Sequence, residues 1–263
     1  AEYGLFFAKV LTLFLMIVGV LMSLVGIAMR NRHAPAEQIE VRRINDRYRE
    51  MADALEMATL APALIKKHQK TQKKERKAEA KTQKNTPEDP KKRVFVLNFH
   101  GDIRASEVAL LREEVTAILV GVREDDEVVV CLESAGGMVH AYVLAASQIM
   151  RLRDAGVHVT VSVDKVAASG GYLMACVANR ILAAPFAVIG SIGVVAEIPN
   201  FNRLLKKHDI DYEQISAGEY KRTISMLGET TDRARAKVKE EVEQTHTLFK
   251  DFVKECRPVI DLD

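Results

Sequence analysis

Three short apolar runs, each followed by a polar turn and a stretch of helical length, set the strongest limit on what this chain can fold into. The runs are VFVLNF (94–99), EVVVCL (127–132) and VHVTVSV (157–163). The first is almost continuously apolar, the pattern of a strand covered on both faces. The segments between predict helices over 107–120, 138–153 and about 169–178, with a further short strand over 180–183. Strands alternating with helices line up parallel through right-handed crossovers, so residues 93–263 predict an α/β body of repeated strand-helix units. A last helix over about 230–255 carries Val238, Val242, His246, Phe249 and Val253 near one face and is otherwise highly charged. It is expected to lie over the body or a neighbouring subunit rather than inside a core.

The preceding residues are a different physical object. Val10 to Met29 is a run of 20 residues without a charge, about 30 Å as a helix and so matched to the hydrocarbon core of a bilayer. Lys9 stands at one end, Arg30 and Arg32 at the other, where long side chains reach the headgroups. A signal peptide has a shorter apolar region and a small-residue cleavage site, whereas this run continues directly into MRNRHAPAEQ. Residues 1–30 therefore predict an uncleaved single-pass anchor. The excess of Lys and Arg after it places the body in the cytoplasm by the positive-inside rule.

Between anchor and body, residues 31–92 predict a charged tether. The formal net charge of +2 hides this division, because residues 1–29, 30–93 and 94–263 carry 0, +8 and −6. Residues 36–60 read as an amphipathic helix with Ile44, Tyr48, Met51, Leu55 and Met57 at helical spacing. From Lys66 to Lys84 there are nine basic residues against two acidic ones, a solvated helix or an extended spacer. No aromatic residue is interleaved from Met51 to Val94, which removes the usual pattern of a nucleic-acid surface. Beside an anchor, such a run suits anionic lipid headgroups or simply holds the body away from the bilayer. Cys131, Cys176 and Cys256 have no paired spacing, against a disulfide framework.

Candidate chemistry gathers at two turns of small residues that follow strands. One is Glu133-Ser134-Ala135-Gly136-Gly137-Met138; the other runs from Asp164 to Tyr172 and holds Ser169-Gly170-Gly171. Strand ends of parallel α/β proteins face the ligand crevice, and glycines there let N–H groups approach a reacting atom. Ser169 is placed at a helix N-terminus beside the Gly170 N–H, an arrangement suited to acyl transfer and equally to a plain helix cap. A nucleophilic serine needs a base. None of the seven histidines sits in a motif with an aspartate partner. Lys221, in AGEYKRTISMLG, is the other candidate, and it works only if burial lowers its pKa from about 10.4 to about 7–8. An exposed surface lysine is the alternative at that position.

DKVAASGGY, PFAVIGSIGVV, PNFNR and AGEYKRT follow one another in order, and with them the chain resembles the signal peptide peptidase A family, the Ser-Lys peptidases of family S49. The resemblance implies a fold of the ClpP/crotonase type and a peptidase domain over 93–263. It implies Ser169 as nucleophile, Lys221 as general base, and an oxyanion hole from the N–H of Gly170 and one from the Gly136–Gly137 turn, preferentially Gly137. Ser191 would aim the lysine amine. The family needs no metal or other cofactor, cleaves signal-peptide remnants and unfolded or membrane-derived peptides, and forms homo-oligomeric rings whose neighbouring protomers complete the site. A bacterial inner-membrane location follows, and the family's role suits the periplasmic side as well as the cytoplasmic one. Two departures are visible: Ala135 stands where the family has Pro, and the chain stops at Asp263 where relatives continue, as an incomplete or processed chain would. The competing expectations are a catalytically idle membrane scaffold and a crotonase-type acyl-CoA enzyme.

Overall fold

The computed structural model describes residues 39–61, 92–218 and 223–262, with isolated positions between 9 and 19 and between 64 and 78. The chain divides into two units, Ala1–Thr82 and Gln83–Asp263.

In the first unit, helix α1 (Ile44–Thr59) starts later than its apolar pattern predicts, since residues 39–43 are not helical. Arg43 at its N-cap makes no side-chain capping bond, and Asp46 supplies the negative charge that the first turn favours. Ile44, Tyr48, Met51 and Leu55 form an exposed stripe, while Met57 is partly buried away from it. His68 Nε2 lies 3.3 Å from Glu56 Oε2. Most of the uncharged run 10–29, and with it the predicted anchor, lies outside the described residues. Among those described, no helix is long and apolar enough to cross a membrane.

The second unit is a mixed α/β body. Its elements are β1 (Val94–Gly101), α2 (Val108–Gly121), β2 (Glu127–Ser134), α3 (Val139–Asp154), β3 (His158–Val163), β4 (Val166–Ala168), α4 (Gly170–Ala175), β5 (Arg180–Ala183), β6 (Val188–Gly190), α5 (Asn202–Lys207) and α6 (Asp232–Cys256). All six strands pair in parallel. The three long strands and the helices after them fall where the hydrophobic pattern puts them. Short elements escaped it: β4 interrupts what reads as one continuous turn, and β6 and α5 lie in unpatterned sequence. Helix α4 is also shorter than predicted, ending at Ala175.

Strand β2 is the spine of the sheet and forks it. One edge pairs with β1 along its whole length. The other pairs with β3 over 127–131 and then with β4 at Ser134↔Ala167. β5 continues the first branch beyond β3, and β6 continues the second beyond β4. The step between branches falls at Asp164–Lys165, where Lys165 Nζ meets both carboxylate oxygens of Glu133 at 3.0 Å.

Burial on β1 corrects the expectation of a strand covered on both faces. Leu97 and Phe99 of β1, in register with Val130 and Leu132 of β2, are buried, whereas Val94 and Val96 are 52% and 37% exposed. Partners in a parallel register share a face, so one face of the sheet carries the core beneath α2 and α3. Leu111 and Val115 of α2, Ile149 and Leu152 of α3, and Val159 and Val161 of β3 complete it. Helix α6 departs from its reading too. Its C-terminal turns enter this core through Phe249, Val253 and Cys256, and Arg257 just beyond donates to the Ala178 carbonyl. All three cysteines are free thiols. Burial is the main cause that pushes the pKa of each upward.

The entry to β1 is fastened by a buried carboxylate. Asp126 accepts the backbone N–H groups of Arg93 at 3.1 Å and Arg123 at 2.8 Å, and the Arg93 guanidinium from its Nε at 3.1 Å. Chiefly the Arg93 side chain holds this carboxyl below the ordinary carboxylate range. A lowered folded-state pKa contributes stability above the unfolded value of about 4 and loses it as pH falls toward the folded value. Asp126→Asn should therefore lower the melting temperature at pH 7, and its gap from the parent should narrow as melts are repeated below about pH 4.

Candidate active site

The turn after β2 and the start of α4 meet at the end of the second sheet branch. Ser134, the last residue of β2, is buried, and its Oγ accepts the Gly136 N–H at 3.1 Å. The same hydroxyl lies 2.6 Å from Tyr142 Oη, and Tyr142 donates to the Asp102 carbonyl at 2.6 Å. Tyr142 has one hydrogen to give, so Ser134 is the donor to it. The loop after β1 closes over the turn from the other side, where the Ile103 carbonyl accepts the Met138 N–H at 2.8 Å. Asp102 caps that loop through the N–H and hydroxyl of Ser106, which lower its carboxyl pKa. Ala135, which lacks a proline's fixed φ, therefore sits in a turn held by four neighbours.

Glycines let the two segments touch. A Cβ at Gly170 would stand 2.3 Å from Tyr142 Cγ, and one at Gly171 would stand 2.5 Å from the Ser134 carbonyl oxygen. Gly136 has φ +88°, and a Cβ there would fall 2.7 Å from both Gly170 N and Ser169 Cβ. Real Cβ atoms do not approach so closely, so these positions admit only glycine without a shift of the backbone.

Ser169 stands at the centre of this contact, half-buried, at the N-cap of α4. Its φ of 51° and ψ of −119° are unusual for a residue with a side chain and cost on the order of 1–3 kcal/mol, which the surroundings must offset. They do so by bonding its N–H to the Gly190 carbonyl at 2.8 Å and its carbonyl to the Leu173 N–H at 3.0 Å. Among the described residues its hydroxyl has no hydrogen-bond partner, and the N–H groups of Gly137 and Gly170 have no acceptor. A hydroxyl next to unoccupied amide donors can attack a carbonyl while its oxygen gains negative charge.

Ser191 follows directly after β6, whose Gly190 is in register with Ala168, so it lies beside Ser169 one step beyond the ladder. It is exposed and has φ 54°. Lys221 lies in 219–222, outside the described residues. The structure thus brings together Ser169, Gly170, Gly136, Gly137 and Ser191 and is silent on the lysine. An open cleft of about 420 Å³ is lined by Val139 and His140 past the glycine turn, Val194 and Ile198 past Ser191, and Val238 and Val242 of α6. Thr223 and Ile224, next after Lys221 and Arg222, reach the same cleft. Among the described residues no group of three His, Cys, Asp or Glu side chains is placed to hold a metal ion.

Fold and site together define a parallel α/β protein with a strained serine beside a glycine turn at a sheet's end. The sequence profile of peptidase family S49, N-terminal, matches residues 1–149, and that of peptidase family S49 matches 151–263. The chain belongs to peptidase family S49. It is 48% identical over 268 residues to "Probable protease SohB" of Haemophilus influenzae, covering 99% of this chain and 76% of that protein. It is 44% identical over 269 residues to "Probable protease SohB" of Buchnera aphidicola subsp. Schlechtendalia chinensis, covering 100% and 88%. A solved enoyl-CoA hydratase/isomerase family member aligns with 62% of this chain and 80% of its own at 15% identity, with a TM-score of 0.30, too slight a likeness to bear on fold or function.

Tyr142, Asp102 and Ile103 went unnoticed in the sequence. Each acts through a backbone carbonyl or a hydroxyl reached only by tertiary folding, and no local motif marks them. Tyr142→Phe removes the hydroxyl that joins Ser134 to Asp102 and leaves the Ser134 hydroxyl only the longer contact to the Gly101 carbonyl at 3.4 Å. It should cost about 1 kcal/mol in urea unfolding and slow the reaction of Ser169 with a fluorophosphonate probe.

Proposed function

We propose that this chain is a serine endopeptidase working by a Ser-Lys dyad. One observation carries the reading: Ser169 is held at φ 51°, and among the described residues its hydroxyl has no hydrogen-bond partner and the N–H groups of Gly137 and Gly170 have no acceptor. Ser169 Oγ attacks the scissile carbonyl, and neutral Lys221 takes its proton. The N–H groups of Gly137 and Gly170 hold the oxyanion, with Gly136 giving the turn its shape. Lys221 then returns the proton to the leaving amine, and Ser191 orients the lysine. Membership of family S49 supports the assignment, because the motifs around Ser169, Ser191 and Lys221 carry the family resemblance. Ser134 supports the turn at Ala135 by bonding the Gly136 N–H in place of a proline's rigidity.

Substrates on this reading are signal-peptide remnants and unfolded or membrane-derived peptides. The cleft beside the glycine turn supports it, since Val139, Val194, Ile198, Val238 and Val242 offer apolar surface to a substrate side chain. Residues 1–30 act as a single-pass anchor in a bacterial inner membrane, and the basic tether faces the lipid headgroups. The body works as a homo-oligomeric ring in which the lysine of one protomer can serve a neighbour's serine.

Ser169→Ala and Lys221→Ala should each lower cleavage of an apolar fluorogenic peptide by at least about 10³-fold, with circular dichroism and assembly size unchanged. Casein cleavage by Ser169→Ala at the parental rate would sink the mechanism. The parent's kcat/KM should rise with pH through the lysine's ionisation, since only the uncharged amine accepts a proton.

A further inference from the structure

His246, on the apolar face of α6, is part-buried, and its Nε2 lies 3.1 Å from the Ile192 carbonyl. The segment it reaches is strained. Gly190 and Ser191 both have positive φ, 104° and 54°, one after the other. A non-glycine residue at such a φ persists only where its neighbours over-determine it. Among the described residues the turn is braced internally by the bond from the Gly193 N–H to the Ser191 carbonyl at 3.0 Å. It is also tied outward: the Gly190 carbonyl accepts the Ser169 N–H at 2.8 Å, and the Ile192 carbonyl meets His246. Ser191 lies between two anchored carbonyls, one tied to Ser169 and one tied to α6.

We propose that His246 is a positioning residue, whose Nε2–H clamps the Gly190–Ser191–Ile192 turn to α6 and so fixes the carbonyl on which the Ser169 backbone hangs. This rests on the reading of Ser169 as nucleophile. The platform is rigid, because Phe249 and Val253, three and seven residues further along α6 near the same face, are buried in the core. A carbonyl can only accept, so Nε2 carries the hydrogen and the clamp operates in both ionisation states of the ring. The preceding turn of α6 supplies Val242 and Thr245 to the cleft, so the helix that lines the cleft also carries the clamp.

The test uses the full chain in detergent micelles, with His246→Leu and His246→Gln compared on an apolar fluorogenic peptide. Losing the donor lets the turn relax. His246→Leu should lower kcat by about 10²-fold, the cost of a misplacement near 1 Å, with KM within about threefold. Fluorophosphonate labelling of Ser169 should slow in parallel. The glutamine amide can reach the same carbonyl, so His246→Gln should stay within about threefold of the parent. Parental kcat in His246→Leu, alongside an inert Ser169→Ala, would overturn the clamp and leave the nucleophile standing. Activity in Ser169→Ala would instead overturn the nucleophile, whatever His246 does. If His246→Leu melts below the assay temperature, His246→Asn replaces it, being too short to reach Ile192; equal kcat in the asparagine and glutamine variants then overturns the proposal.

Discussion

The close approach of two backbones, the turn after β2 and the first residues of α4, is the constraint on which the rest of the body depends. Gly170 lies flat on the Tyr142 ring and Gly171 against the Ser134 carbonyl, each where a Cβ would sit within 2.5 Å of an atom already there. Because the segments touch, Gly136 of the turn comes against the Ser169 Cβ and the Gly170 nitrogen. The forked sheet makes this possible. β2 hands its pairing from β3 to β4 just before Ser134, which brings the end of β4 and the start of α4 beside the glycine turn.

Much of this body is legible in the sequence, for identifiable reasons. The runs 94–99, 127–132 and 157–163 are apolar enough to stand out by themselves, and each becomes a long parallel strand. β4 and β6, three residues each, have no such pattern, because what holds them is pairing with each other and with β2. Apolar content also misleads on faces. Val94 and Val96 read like Leu97 and Phe99, yet only the latter pair lies under the helices, since β1 is an edge strand covered on one side. The charged surface of α6 hides Phe249 and Val253, whose burial depends on the turns around Ala178.

The same distinction runs through the site. Ser169, Gly170, Gly136 and Gly137 announce themselves because small residues after strands are a local signal, and a close backbone approach needs them. Ser191 is visible only through its family motif, although the pairing of β4 with β6 is what sets it beside Ser169. Tyr142, Asp102 and His246 act across 40, 40 and 54 residues of chain respectively. Nothing in their own neighbourhoods distinguishes them from core or surface residues. Local sequence marks the candidate groups of the site, while the groups packed and bonded around them are defined by the fold.

The three thiols have a practical consequence. Cys176 caps the C-terminal end of α4, one short helix away from Ser169, and is buried with Cys256 of α6, while Cys131 lies half-covered on β2. Desolvation keeps all three protonated at neutral pH, and the thiol is a poor nucleophile compared with the thiolate. Alkylating reagents in the standard inhibitor panel will thus find little to modify in the folded body. Modification of Cys176 or Cys256 therefore reports opening of the α4–α6 contact, whereas Cys131 is the thiol a reagent can approach without it.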